Sequence, residues 1–381
     1  MRIAHLIDSL YWGGAQRLLV TFAAAARARN LRPTIISLRS KEQTPIPGEL
    51  TALGAEVRWF PGSGSLDLVR LWGLARFLRR ERFDVLHTHL SYSHVVGALV
   101  GPLAGVPVVS TQYNSHTDLR LYHPVRYQLE TWALSHAARR VFAVGYAVAE
   151  SNRERLRGKP LDVVLNAVQP APVLSPAERL ASRGEMTGDP MRPLLIAVGR
   201  LEPAKGYGDV LTAFAEVRRT RPAAALVIVG EGSMRAALAE QISALNLIGH
   251  AVLLGARNDV PRLLASSDVF LSASHWDGLP VAILEAMAAG LPVVATEVGD
   301  VPRVVSPDTG VVLPPQNPTR LSAALRDLLN NPSRMRTLGA AGQAYVTQHH
   351  SPAAWLDQLL SLYATVISSE KESLQPLSVV H

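Results

Sequence analysis

Two cations and two carboxylates in the second half of the 381-residue chain have a spacing that points to chemistry. Arg200 and Lys205 lie five residues apart on a predicted loop that follows a strand. From such a loop both side chains can reach one diphosphate and neutralise the charge that develops on a departing nucleotide. The alternative is that they are two solvated loop cations, as most surface Lys and Arg residues are.

The carboxylates, Asp277 and Glu285, lie before and within a predicted helix that begins around Gly278-Leu279-Pro280. Glu285 stands in an otherwise apolar stretch, so we expect it to be buried and to need a partner. The hydroxyls of a ribose are suitable partners for such a carboxylate. Asp277 is also well placed to cap the helix, which is its structural alternative.

Further candidates follow other predicted strands. Gly13 and Gly14 precede the first helix, where glycines let a ligand approach the backbone and free amides can bind an anion. A tight turn without a ligand explains this short motif equally well. In the second half, strands lead into loops that carry Gly230 with Glu231, and Arg257.

His87 and His89 close the fourth predicted strand, and their i and i+2 spacing puts both on one face. A metal site is one interpretation of such a pair. No third ligand is evident nearby in the sequence. We therefore expect no metal, and predict an acceptor-side or a structural role for both histidines.

The elements that must position these residues alternate along the chain as short apolar strands and longer amphipathic helices. This pattern predicts an α/β fold with parallel sheets that carry helices on both faces. A Pro-rich, polar stretch from Val168 to Pro193, which contains a short polar helix, is predicted to be a linker. The predicted domains are residues 1–168 and 169–350, with a last helix at about 353–368 that packs back on the first domain.

Composition indicates the cellular compartment of the protein and the charge of its partners. The chain has no cysteine, and no apolar run is long enough to cross a bilayer, so we expect a cytoplasmic protein. Residues 1–170 hold 21 basic and 12 acidic residues, whereas the remainder holds 17 and 19. Attraction to phosphates or anionic lipids would therefore act on the first half. The motifs typical of nucleic-acid binding are absent.

A basic and apolar segment, residues 66–83, adds a second possibility to this setting. Its arginines are Arg70, Arg76, Arg79, Arg80 and Arg82, interleaved with leucines and Trp72. The segment is either an amphipathic helix that lies on an anionic membrane or a sheet-packing helix with a solvated basic face.

The order of the motifs resembles that of the family 4 retaining glycosyltransferases of GT-B fold. The resemblance covers nearly the whole chain, and the block from Asp277 to Glu285 is its most specific part. It implies two Rossmann-like doubly wound domains that face each other across a cleft. It also implies transfer of a sugar from a nucleotide diphosphate sugar, with retention at the anomeric carbon and without a metal or other cofactor.

The resemblance further implies roles for individual residues. Arg200 and Lys205 would hold the donor diphosphate, and Glu285 would bind the ribose. Asp277 and the neighbouring backbone amides would contact the donor sugar and phosphate. The positions expected to line the donor site are Gly13, Gly14, Gly199, Gly230, Glu231, Arg257, Gly278, Leu279 and Pro280.

Two departures from the family pattern concern the reacting sugar. The family usually has Glu where this chain has Asp277. The family also usually has a histidine after the fifth strand, in a Thr-x-His arrangement, where this chain has Tyr113. Either the Tyr113 hydroxyl or His116, three residues further on, could replace that histidine.

The predicted function is therefore glycosyl transfer to a glycan, a glycolipid or a small molecule, in cell-envelope or exopolysaccharide assembly. Two alternatives stay open. One is a non-catalytic protein that binds nucleotide sugars, and the other is an epimerase or phosphorylase on the same two-domain plan.

Overall fold

The computed structural model describes residues 1–41, 43–64, 66–113 and 124–374. The chain divides into two units. The first comprises Met1–Asn166 together with the C-terminal segment from Pro352, and the second comprises Ala167–Ser351. Among the described residues, no helix combines the length and the apolar character that crossing a bilayer requires.

The first unit is built on a seven-stranded sheet with the order β3-β2-β1-β4-β5-β6-β7, in which every neighbouring pair is parallel. Its strands are β1 (Ile3–Ile7), β2 (Thr34–Ser37), β3 (Glu56–Trp59), β4 (Val85–His89), β5 (Val108–Gln112), β6 (Ala138–Ala143) and β7 (Leu161–Val163). Strands β1, β4 and β5 are buried along their whole length, as expected for a parallel sheet that is covered on both faces.

Helices connect these strands and cover the sheet. They are α1 (Gly14–Ala28), α2 (Ile46–Ala52), α3 (Leu68–Glu81), α4 (Ser91–Ala104), α5 (Pro124–Trp132) and α6 (Tyr146–Arg153). A π-helical turn, Ala133–Ala137, follows α5 and leads into β6. The chain order of the strands changes direction between β1 and β4, so the loops after these two strands flank the switch point of the sheet.

The second unit repeats this plan with six parallel strands in the order β10-β9-β8-β11-β12-β13. The strands are β8 (Leu194–Val198), β9 (Ala225–Val229), β10 (Ala251–Gly255), β11 (Val269–Ser272), β12 (Val293–Thr296) and β13 (Gly310–Leu313). The helices are α7 (Pro176–Thr187), α8 (Tyr207–Thr220), α9 (Arg235–Ala244), α10 (Val260–Ala265), α11 (Val281–Ala288), α12 (Val301–Val304), α13 (Pro318–Asn330) and α14 (Pro332–His349). Here the switch point lies between β8 and β11.

The predicted linker is in large part a helix of the second unit. Helix α7 lies within Val168–Pro193, and its Met186 joins the hydrophobic core of that unit. Arg183 of α7 donates to Asp268 Oδ2 at 3.0 Å and to the backbone oxygen of Ser266 at 2.9 Å. The sequence predicted a short polar helix here and placed it in the second domain, but not its packing on the core. The packing was missed because α7 carries few of the apolar residues that mark a core helix.

The last helix, α15 (Pro352–Leu374), belongs to the first unit. Its Leu356, Leu359, Tyr363 and Val366 are buried in one cluster with residues of β1, α1, β4 and β6. The Tyr363 hydroxyl lies 2.6 Å from His87 Nδ1 at the centre of the sheet. The segment after residue 351 is therefore part of the first core.

Candidate functional site

Most of the predicted donor residues, Gly13 and Gly14 excepted, lie at the carboxyl edge of the second sheet. Parallel α/β sheets bind ligands at this edge, at the switch point, which here is the junction of β8 and β11. The loop after β8 carries Arg200 and Lys205, and the loop after β11 carries Asp277.

These two loops are held together by their backbones. The His275 amide donates to the Ala204 carbonyl at 2.8 Å, and His275 Nε2 lies 2.9 Å from Asp209 Oδ2 on α8. Gly206 has a φ of 62°, and a Cβ at this position would lie 2.0 Å from the carbonyl oxygen of Ala273. Only glycine allows the loops to approach so closely.

This approach brings Lys205 and Asp277 together, although 72 residues separate them in the chain. The Lys205 ammonium donates to Asp277 Oδ2, and both side chains are partly buried. The other oxygen, Oδ1, accepts from the Gly278 amide at 2.9 Å. Both oxygens of Asp277 thus have partners, and the carboxylate fixes the position of the lysine at the switch point.

Arg200 occupies the same loop with an exposed side chain. Within the described part of the chain its guanidinium has no hydrogen bond or ion pair. The following residue, Leu201, is fully buried, and its amide donates to the Glu231 carbonyl at 2.9 Å. The backbone is therefore anchored while the guanidinium remains accessible to a ligand.

The loop after β9 packs directly on the loop after β8. Gly230 has a φ of 147°, and a Cβ there would lie 1.9 Å from the Gly199 oxygen. Glu231 Oε1 accepts from Arg235 at 2.9 Å, so this predicted donor residue has a partner at the start of the following helix, α9. The backbone of this loop is held in place by its contacts with the loop after β8.

Arg257, after β10, is also engaged locally. Its guanidinium donates two hydrogen bonds of 2.8 Å to the carboxylate of Asp259. The bonds from Arg257, partly offset by burial and assisted by Arg262, lower the pKa of Asp259 to about 2. Asp259 therefore stays charged at neutral pH and holds Arg257 in place.

The segment Gly278-Leu279-Pro280 is buried and leads into α11, as predicted. The first turn of α11 contains no acidic side chain, so its amides favour an anion. Glu285 follows in the second turn but is only partly buried, which corrects the expectation of a buried carboxylate. The reason is that α11 turns its apolar side chains, including Leu284 and Ala286, into the core and leaves Glu285 at the edge.

Gly13 and Gly14 begin α1 at the switch point of the first sheet. No acidic residue lies in the first turn of α1, so its amides too favour an anion. Nearby, Asp8 accepts from the Ser93 amide at 2.7 Å and so caps α4. Burial raises the pKa of Asp8 to about 6, against the opposing effects of the Ser93 amide and Arg126.

The predicted histidine pair has a third member, which corrects the expectation that none lies nearby. His5 of β1 pairs in register with His87 of β4, and ring nitrogens of His5, His87 and His89 all lie within 4.8 Å of one another. The sequence signal was a histidine in β1 beside two in β4, but it required the strand order. All three are buried, so His87 and His89 lie beneath the surface and not on it.

Hydrogen bonds already engage these rings. His5 Nδ1 lies 2.9 Å from His89 Nε2, and His87 bridges the hydroxyls of Tyr363 and Thr111 at 2.6 Å each. A cavity of about 20 Å³ beside His5 and His89 has room for one or two water molecules but not for a sugar. The arrangement is that of a buried polar network.

Tyr113 stands directly after β5 and is packed against this network. Its hydroxyl lies 2.7 Å from His89 Nδ1. Burial raises the pKa of Tyr113, so the phenol stays protonated. His116, the other candidate for the missing family histidine, lies outside the described residues.

Sequence reasoning missed residues that shape the site without a recognisable motif. Asp209 and His275 join two loops, and Asp300 donates its amide to the Gly278 carbonyl at 2.8 Å, which ties in the loop after β12. None of the three stands in a recognisable motif: Asp209 is in the first turn of α8, and His275 and Asp300 lie on loops. Together these contacts fix the loops that carry Lys205 and Asp277. Arg200 and Lys205 are the cations of this edge that can face a bound diphosphate.

A family model described as glycosyl transferases group 1 matches residues 181–345, and a model for glycosyltransferase family 4 matches residues 12–171. The chain belongs to glycosyltransferase family 4. This glycosyltransferase is 30% identical over 313 residues to D-inositol 3-phosphate glycosyltransferase of Segniliparus rotundus, an alignment that covers 75% of this chain and 67% of the relative.

Two further similarities complete the comparison. Over 242 residues, 61% of this chain and 62% of the relative, the glycosyltransferase is 30% identical to the UDP-Gal:alpha-D-GlcNAc-diphosphoundecaprenol alpha-1,3-galactosyltransferase of Escherichia coli. The crystal structure of Anabaena HepE in complex with UDP and glucose matches with a TM-score of 0.85 and 20% identity, over 96% of this chain and all of that one. The predicted family and GT-B fold are confirmed.

Proposed function

We propose that this glycosyltransferase takes a nucleoside diphosphate sugar in its second unit and transfers the sugar to an acceptor bound by its first unit. The observation that carries the proposal is the position of Lys205. It is held by Asp277 at the switch point, beside the buried start of α11 and the exposed Arg200. A preorganised cation and amide array of this kind stabilises a leaving diphosphate.

In this proposal the donor diphosphate replaces Asp277 as the partner of the Lys205 ammonium. The diphosphate lies between Lys205 and Arg200, and Glu285 accepts hydrogen bonds from the ribose. Asp277, once released, and the amides of Gly278 and Leu279 contact the sugar and its phosphate. Gly13 and Gly14 add amides from the start of α1.

The nucleobase would lie against the loops after β9 and β10. Because Glu231 and Arg257 have partners of their own, we assign base recognition to backbone groups around Gly230 and not to these side chains.

Retention and metal independence are part of the proposal. The charges of Lys205 and Arg200 would do what a divalent cation does in other transferases, which is to neutralise the departing diphosphate. Two measurements check this. The anomeric configuration of the product, read by NMR, should equal that of the donor, and activity should survive a chelator that removes divalent ions.

For the acceptor we propose a glycan, a lipid-linked sugar or a small polyol, and for the location the cytoplasm. The relatives' names support this range, since one names D-inositol 3-phosphate and the other a diphosphoundecaprenol-linked sugar. The absence of cysteine agrees with a reducing compartment.

A thermal-shift screen of UDP-, GDP- and ADP-sugars, followed by an assay of nucleoside diphosphate release, tests the function. A true donor raises the unfolding temperature because it binds only the folded state. Release that requires an acceptor supports transfer. Binding without any release would instead identify a nucleotide-sugar sensor, turnover of donor alone an epimerase, and dependence on inorganic phosphate a phosphorylase.

A further inference from the structure

Helix α3 buries one apolar face and exposes a second. Leu71, Leu74 and Leu78 pack in the core of the first unit. On the other side of the helix, Leu68 is 77% exposed, Val69 83% and Trp72 65%. Large apolar side chains in a contiguous exposed group mark an interaction site more often than isolated ones do.

The exposed side of α3 is apolar in the N-terminal half of the helix and cationic in the C-terminal half. Leu68, Trp72, Arg76 and Arg80 follow one another at intervals of four, so they form a single stripe along the helix. The Arg76 guanidinium lies 5.3 Å from the centre of the Trp72 ring. We refer to Leu68, Val69, Trp72, Arg76 and Arg80 as the α3 stripe.

Arg70, the first arginine of the segment, lies on the other side of the helix. Arg70 is buried, donates to the Tyr92 hydroxyl at 2.8 Å and lies over that ring. Arg70 therefore anchors α3 to the first unit and is not part of the exposed charge. The sequence prediction that listed it with the basic face is corrected.

Of the two acidic residues of the segment, Glu81 pairs with one arginine of the α3 stripe and Asp67 does not. Asp67 caps α3 by accepting from the Arg70 amide at 3.0 Å and from the Ser63 amide at 3.1 Å. Glu81 accepts from Arg2 at 3.1 Å and from Arg80 at 3.0 Å. Glu81 is shared between Arg80 and Arg2, so it offsets the charge of Arg80 only in part. Arg76 has no acidic partner among the described residues, and the α3 stripe keeps a net positive charge.

We infer that the α3 stripe docks the first unit on an anionic lipid surface. Leu68, Val69 and Trp72 would enter the boundary between headgroups and acyl chains, where tryptophan is favoured. Arg76 and Arg80 would pair with lipid phosphates. A second copy of the chain is a poorer occupant, because it would bring the same cationic stripe against this one.

The inference deepens the proposed function and rests on it in one respect. If the first unit binds the acceptor, lipid docking brings the enzyme to acceptors that are themselves anchored in a membrane. The docking itself needs neither donor nor turnover, so it is tested by binding alone.

The test is flotation of the full chain with vesicles of phosphatidylcholine alone or of phosphatidylcholine mixed with phosphatidylglycerol. The wild type should float only with the anionic vesicles, and less at high salt. Leu68→Ser/Val69→Ser/Trp72→Ser should weaken binding about tenfold or more. Arg76→Gln/Arg80→Gln should weaken it about fivefold for each arginine removed.

The matched control is Met191→Ser/Ile248→Ser, which removes two similarly exposed apolar residues, 76% and 72%, from the second unit. It should float like the wild type. The donor-induced thermal shift of all variants should be unchanged, which separates this inference from the proposed function. Flotation of the triple variant equal to the control, no flotation of the wild type, or a stripe variant that only breaks up an oligomer would overturn the inference.

Discussion

At the scale of single residues, the candidate site depends on pairs that are distant in the chain. Lys205 meets Asp277 because Gly206 lets its loop touch the Ala273 carbonyl. The strand, loop and helix order around both residues could be predicted from the sequence. The ion pair could not be predicted, because it requires β11 to lie next to β8. It also requires the close contact between Gly206 and the Ala273 carbonyl, which no residue with a Cβ allows.

We predict that Gly206→Ala destabilises the second unit by about 2 kcal/mol or more, through both its positive φ and the contact with Ala273. The matched control is Gly208→Ala in α8, where a Cβ meets only the end of the Gln241 side chain at 3.3 Å. Urea unfolding measures both free energies. Equal stability of the two variants would show that the loops do not need this close approach.

His5, His87 and His89 illustrate a second limit at this scale. His87 and His89 could be recognised in the sequence as a pair in β4, and they are buried because β4 is buried along its whole length. The third histidine was also visible, but its partnership depends on the register of β1 against β4, which a single sequence does not specify.

At the scale of elements, a buried ion pair fixes α5 to the turn that follows α6. Arg155 donates to Glu130 Oε2 at 2.8 Å, and both side chains are almost completely buried. Arg155 also donates to Thr131 Oγ1 at 2.7 Å, and Gln112 donates to Glu130 Oε1 at 3.2 Å. These bonds compensate the burial of both charges.

We expect Glu130→Gln to lower the free energy of unfolding by about 3 kcal/mol, because Arg155 would remain buried without its counter-charge. Glu150→Gln, which breaks the exposed pair with Arg153, should cost less than about 1 kcal/mol. Chemical denaturation compares the two. A loss for Glu130→Gln no larger than that for Glu150→Gln would mean that the buried pair contributes little.

Elements whose apolar residues stand out from a polar surrounding sequence could be predicted. The packing of elements without this contrast could not. The bounds of β8 follow from five apolar residues after Pro193. Helix α7 was placed in a linker because its contacts to the core are made by Arg183 and Met186 in a polar segment. The two faces of α3 were both present in the sequence, but only packing separates Leu71 from Trp72.

At the scale of the molecule, buried histidines make the first unit sensitive to acid. Burial lowers the pKa of His5 to about 3, and burial, partly offset by Glu130, lowers that of His94 to about 4. The pKa values of His87 and His89 are also well below 6.5, chiefly through burial. The unfolded chain therefore binds protons that the folded chain does not.

It follows that stability should fall as the pH drops from 6.5 towards 4, and the unfolding temperature measured by calorimetry should fall with it. Asp8, with its pKa raised to about 6 by burial, acts in the opposite sense between about pH 6 and 4 but is outnumbered. Each unit of pKa difference corresponds to about 1.4 kcal/mol. His5→Phe should reduce the dependence of the unfolding temperature on pH, whereas substitution of the exposed His136 by Gln should not.

An unfolding temperature that stays constant down to pH 4.5, about two units below the ordinary histidine pKa, would contradict this account.

The most direct measurement is calorimetric titration with the nucleoside diphosphate sugar that gives the largest thermal shift. Lys205→Gln should bind it about tenfold to a hundredfold more weakly than the wild type, because a charged contact to phosphate is lost, while affinity for the bare nucleoside stays the same. Arg336→Gln, which removes an exposed cation from α14 of the same unit, should bind like the wild type. If folded Lys205→Gln binds the donor as tightly as Arg336→Gln does, Lys205 is not the diphosphate anchor and the assignment of the site is wrong.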